Sequence, residues 1–176
     1  MTDLVDGLSE LITTLIDLGP EGEEAIAKYS RRRQSRSAAH SLDGLSFAPH
    51  GFRQYLERIA AGEATLEDLH GIRIRLDSTA ESVEFHLDHL SAYREKLREA
   101  RGMAAAEKLD TIMYDRFGKD RLRRMLFELA RTHDNTDPRS DATVARAKEI
   151  LAAMKYLNAQ IAELHDMILD PTQQAD

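Results

Sequence analysis

The side chains best able to do chemistry in this chain are its seven histidines, its acids and its arginines, since it has no cysteine. His86 and His89 stand three residues apart with Glu84 and Tyr93 close by, and Glu67-Asp68-Leu69-His70 matches Glu-x-x-His. A di-metal carboxylate site in a helical bundle needs two such motifs and two further inward glutamates from separate helices. No second motif with that spacing occurs, and neither does the His-Glu-x-x-His of a zinc peptidase. These histidines therefore read as members of a polar helix face, and no metal is assigned. Asp134, Asn135, Asp137 and Asp141 offer oxygens as a calcium loop would. Glycine at the sixth position and glutamate at the twelfth are missing from that run. Asp137 before Pro138 reads instead as the start of a helix. There is no glycine-rich phosphate loop, no Gly-x-Ser-x-Gly and no Cys–His pair. No catalytic residue and no cofactor is expected, and the chain reads as non-enzymatic.

Two basic clusters remain. Lys28, Arg31, Arg32, Arg33 and Arg36 form the first, with no acid among them. Guanidinium forks suit phosphates and carboxylates, so Arg31, Arg32, Arg33 and Arg36 are the candidates for contact with an anion, a nucleic acid or an acidic partner. Arg116, Lys119, Arg121, Arg123 and Arg124 form the second, interrupted by Asp115 and Asp120. Arg124 can pair with Glu128 one turn on, which makes this cluster a solvated helix face. A net charge of −7 disfavours general nucleic-acid binding.

Positioning falls to one long element. From Leu66 to Arg101, the residues Leu69, Arg73, Leu76, Ala80, Val83, Leu87, Leu90, Arg94, Leu97 and Arg101 recur in alternating steps of four and three. That spacing keeps one side of an α-helix facing a partner. Thr65 and Asp68 resemble a capping box at its start. The arginines in this seam are expected to pair with a facing carboxylate or to mark where the seam ends. Ile74, Phe85 and Ala92 lie on the opposite face among Ser78, Glu81 and Asp88, which implies contact on two sides, with a second helix of the same chain or with another subunit or partner protein. The expected protein-interaction residues are therefore Ile74, Phe85, Ala92, Arg94 and Arg101, and the expected partner is a second copy.

The other elements follow from the same patterning. Leu4, Val5, Leu8, Leu11, Ile12, Leu15 and Ile16 predict an N-terminal helix ended by Gly19-Pro20. A short helix over 20–29 precedes a long loop over 30–50, which is rich in Ser, Ala and His. Phe52, Tyr55, Leu56 and Ile59 mark another short helix, closed by Gly62, with Phe47 as a staple. Residues 104–133 predict a helix with a kink or a short break at Gly118, and 138–169 a last one with the stripe Val144, Ala147, Leu151, Met154, Leu157, Ile161, Leu164 and Ile168. Residues 171–176 predict a frayed tail. Gly71 is the weakest point of the central helix.

Aromatic residues make up only 6% of the chain and tryptophan is absent, so an aliphatic, helical core is required. No apolar run is long enough to span a membrane, and the N-terminus lacks a secretory leader pattern, so a cytoplasmic protein is expected. The fold expectation is a single all-α domain over 1–176, a bundle of three long antiparallel helices with shorter N-terminal helices packed across them. The functional expectation is an adaptor, regulator or assembly subunit that self-associates through the central helix. Its alternatives are a regulator or effector touching nucleic acid through Arg31–Arg36, and an enzyme or carrier with a site inside the bundle.

Overall fold

A computed structural model describes residues 20–46, 51–114, 119–131 and 137–169. Six helices make up almost all of it: α1 (Pro20–Leu45), α2 (Phe52–Ala60), α3 (Leu66–Arg101), α4 (Met103–Tyr114), α5 (Lys119–Arg131) and α6 (Asp141–Leu169). Among the described residues there is no strand, and no helix is long and apolar enough to cross a membrane. By its contacts the chain forms two compact units, Met1–Ser37 and Ala38–Asp176. The described part of the first is the largely exposed helical stretch 20–37. The second carries the core. The expected N-terminal helix over Leu4–Ile16, the staple Phe47, the turn at Asp134–Thr136 and the tail 171–176 lie outside the described residues.

The segment 30–50 is not a long loop, because α1 runs on to Leu45. No glycine or proline interrupts the chain between Glu23 and Asp43. Serine in a helix interior costs only about half a kcal/mol against alanine, too little to break a helix whose end is anchored. Ala38, Ala39, Leu42 and Leu45 recur at helical spacing and are buried, which supplies the anchor. Of the residues expected to be helical over 104–133, the described ones form α4 and α5 on either side of 115–118; the kink or short break expected at Gly118 lies outside the described residues.

The start of α3 is fixed as its sequence indicates. Thr65 Oγ1 accepts the backbone N–H of Asp68 at 3.3 Å, and Asp68 Oδ2 accepts that of Thr65 at 2.9 Å. The Asp68 carboxylate is buried and also takes an ion pair from Arg58 on α2, so the cap fastens two helices. Thr65→Ala is expected to cost about 1 kcal/mol of unfolding free energy in urea titration. A cost near zero would mean that the Arg58–Asp68 pair holds the junction without the cap.

Which face of α3 is buried differs from the expected seam. Leu69, Ile72, Leu76, Val83, His86, Leu90, Tyr93 and Leu97 are buried, whereas Arg73 is exposed and Leu87 only half-buried. The spacing of three and four survives, but at several turns the inward residue is one position earlier. Both registers share Leu69, Leu76, Val83, Leu90 and Leu97, so the apolar pattern alone does not separate them. The buried register takes Ile72 and Tyr93 inward and leaves Arg73 exposed and Arg94 half-buried, which saves the cost of fully desolvating either charge.

Around α3 the packing is helix on helix. α4 and α5 lie against it and against α6, and α2 bridges α3 and α6. Gly71 leaves room for a side chain of α2: a Cβ there would stand 2.7 Å from the Tyr55 ring. The guanidinium groups of Arg58 and Arg75 each lie 5.4 Å from that ring's centroid. What reads in sequence as a weak point is the place where a ring needs room.

The last helix begins at Asp141 rather than Pro138. Ser140 Oγ accepts the N–H of Thr143 at 3.3 Å, while Asp137 caps the preceding turn by accepting Arg139 N–H at 2.9 Å. Inward residues of α6 include Ala147, Ile150, Met154, Leu157 and Leu164; Val144 and Leu151 are half-buried.

The distal end of α1, within the second unit, sits over α3 and α6. Ser41 Oγ is 2.8 Å from His89 Nδ1, and Ser46 Oγ donates to Asn158 Oδ1 at 3.4 Å. Asp43 lies 3.7 Å from His165 Nε2. At Gly44 the imidazole of His86 fills the space a side chain would need.

Candidate functional site

The outer face of α3 is where the candidate interaction residues gather. Burial of Leu76, Val83, Leu90 and Leu97 fixes the helix's rotation, and the rotation turns the opposite face to solvent. Ile74 is 53% exposed and Phe85 66%, and Ala92 is exposed as well. At 3.6 residues per turn these three fall within an arc of roughly 20°. Asp77, Glu81, Glu84 and Asp88, all exposed, flank them within an arc of about 100° in total. No lysine or arginine occurs between Arg75 and Arg94, so the middle of this face is uniformly acidic. Sequence reading placed Glu81 and Asp88 here but passed over the absence of basic residues, a signal available from the charge order alone.

Phe85 is held in position although its ring is exposed. The ring stacks on His89 with an interplanar angle of 5° and centroids 6.4 Å apart, and meets His86 edge-on at 5.4 Å. His86 in turn stands edge-on to His40 at 6.1 Å. Docking of α1 through Ser41 and Gly44 thus buttresses the two imidazoles beside Phe85. The aromatic anchor is preorganised, which lowers the entropy lost when something binds it.

The other two interaction candidates serve contacts within the chain. Arg94 makes a two-pronged ion pair with Asp110 of α4 at 2.7 and 2.6 Å. The Asp110 hydrogen bond, then its charge, holds this guanidinium above its ordinary pKa. Arg101 Nη2 donates to the Ile168 carbonyl at 3.1 Å, tying the end of α3 to the end of α6. Both point roughly opposite to Phe85 around the helix. The five predicted interaction residues therefore separate into an outer triad and an inner pair.

Arg31, Arg32, Arg33 and Arg36 lie on α1 in the first unit and are exposed, as are Lys28 and Tyr29. Lys28, Tyr29, Arg32 and Arg36 share an arc of about 100°. In the second cluster, Glu128 takes Arg146 of α6 at 2.8 Å. Hydrogen bonding to Glu149 and Glu128, with their charge, raises the Arg146 pKa despite partial burial.

Among the described residues no three His, Asp or Glu side chains converge to hold a metal ion. Ser41 and His89 have the separation of a nucleophile and its base, a pairing hidden in the sequence because residues 30–50 have the composition of a loop. Ser41 is buried, however, and Phe85 covers a face of the His89 ring. This hydrogen bond satisfies an interior hydroxyl and offers no approach to a substrate. No protein-family model matches the chain, and neither a curated protein nor a solved structure matches it.

Proposed function

We propose that the chain is a non-enzymatic helical interaction protein, an adaptor or assembly subunit, that self-associates through the outer face of α3. The observation that carries this reading is Phe85, a large apolar ring 66% exposed, aligned with Ile74 and Ala92 on a helix whose other side forms the core. A rigid aromatic with apolar neighbours is the kind of anchor on which binding energy concentrates. In this reading the long helices pack antiparallel as a stiff scaffold. Arg94 and Arg101 contribute by holding α3 straight against α4 and α6.

Sedimentation velocity at micromolar concentration tests it. A dimer is expected, with Phe85→Glu weakening it about ten-fold or more while the far-UV circular dichroism spectrum stays helical. A monomer throughout that range, or an unchanged dimer in the variant, rejects the face as an interface. The second reading, contact with nucleic acid through Arg31, Arg32, Arg33 and Arg36, is favoured by their exposure on one helix and opposed by the net charge of −7.

A further inference from the structure

The charge order of the two exposed helical faces names the partner of α3. From Ala25 to Leu42 the chain has no acid and carries Lys28, Arg31, Arg32, Arg33 and Arg36. From Leu76 to Tyr93 it has no lysine or arginine and carries Asp77, Glu81, Glu84 and Asp88. Each stretch is helical and each set of charges is exposed. Beside each stripe of charge stands one exposed aromatic, Tyr29 at 64% and Phe85 at 66%.

Direct packing of one α3 face on the same face of another copy would set four carboxylates against four. Like charges brought together across an interface are repulsive, and nothing on this stretch of α3 offsets them. A basic helical face with an aromatic at its edge has the complementary character. We propose that the occupant of the Phe85 face is the basic stretch Lys28–Arg36 of a second copy, with Tyr29 and Phe85 as the apolar part of the contact. The same contact made in both directions closes a two-fold pair. This rests on the reading that the chain self-associates through α3, and adds which surface of the second copy is used.

The test reverses charge on full-length chains and reads the dimer dissociation constant by sedimentation equilibrium. The α1 variant carries Lys28→Glu, Arg32→Glu and Arg36→Glu; the α3 variant carries Glu81→Arg, Glu84→Arg and Asp88→Arg. Each alone should dimerise at least about ten-fold more weakly than the natural chain, and raising salt from about 0.05 to 0.5 M should weaken the natural dimer comparably. An equimolar mixture of the two variants should regain the affinity, since each then offers the other a complementary pair. One chain bearing all six reversals should also regain it, which shows that the substitutions leave the helices folded.

A dimer sensitive to Phe85→Glu but indifferent to reversal on α1 overturns this inference and leaves self-association through α3 standing. A monomeric natural chain overturns both. If α1 reversal abolishes salt-dependent binding of a DNA or RNA duplex while the dimer is unchanged, the arginines belong to nucleic acid and the assignment fails.

Discussion

Leu90→Ala is expected to lower the unfolding free energy by about 2–5 kcal/mol, the range for emptying a large aliphatic position that cannot collapse. Leu90 is fully buried in the second half of α3, a helix against which α4 and α5 pack, and it has buried neighbours on either side at His86 and Tyr93. Leu87, three residues earlier and in the seam predicted from sequence, is only half-buried at the margin of the core. Leu87→Ala should accordingly cost less than Leu90→Ala. Ile72 and Arg73 provide a sharper comparison, since the two registers of the helix exchange them. Ile72→Ala should cost about as much as Leu90→Ala, and Arg73→Ala within about 0.5 kcal/mol of nothing. Urea titrations of the four variants decide the register. Equal costs at positions 72 and 73, or a larger loss at Leu87 than at Leu90, would place the buried face wrongly.

How much of this was legible beforehand depends on the kind of signal each element carries. The limits of α3 could be read because Thr65 and Asp68 form a cap with a fixed geometric requirement, and Gly102 follows the last turn. Its rotation could not, because a seam of leucine and valine repeated in threes and fours admits two neighbouring registers. What separates them is whether Ile72 or Arg73, and Tyr93 or Arg94, is turned toward the neighbours. Asp110, the partner that lets Arg94 lie half-buried, is on another helix and has no local signature. The helicity of α1 was hidden for another reason: serine and histidine between Arg33 and Asp43 resemble loop composition. The apolar residues that anchor its end, Ala38, Ala39, Leu42 and Leu45, are sparse. Mistaking this stretch for a loop also hid the Ser41–His89 hydrogen bond and the contact at Gly44. The outer triad of Ile74, Phe85 and Ala92 was legible because Leu69, Leu76, Val83, Leu90 and Leu97 belong to both registers, so either one leaves that triad outward.

The contact at Gly44 makes the second large expected effect. A Cβ at this position would stand 2.2 Å from Nε2 and 2.3 Å from Cδ2 of His86, far inside van der Waals contact. His86 is itself buried and stands edge-on to the rings of His40 and Phe85, so moving the imidazole aside breaks those ring contacts. Gly44→Ala should therefore destabilise the chain by about 1–3 kcal/mol, the cost of forcing an extra methyl into a filled interior. This goes against the ordinary gain from replacing a helical glycine by alanine. The distinguishing measurement is a double-mutant cycle. His86→Ala alone should also destabilise, by removing a buried ring. In that background Gly44→Ala should become neutral or stabilising, because the methyl then enters the space the ring has left. A coupling of about 1–3 kcal/mol between the two substitutions is the expected reading. Additive losses would show that α1 does not approach α3 at this point. Phe85 would then lose the buttress that the docked end of α1 provides through His86 and His89.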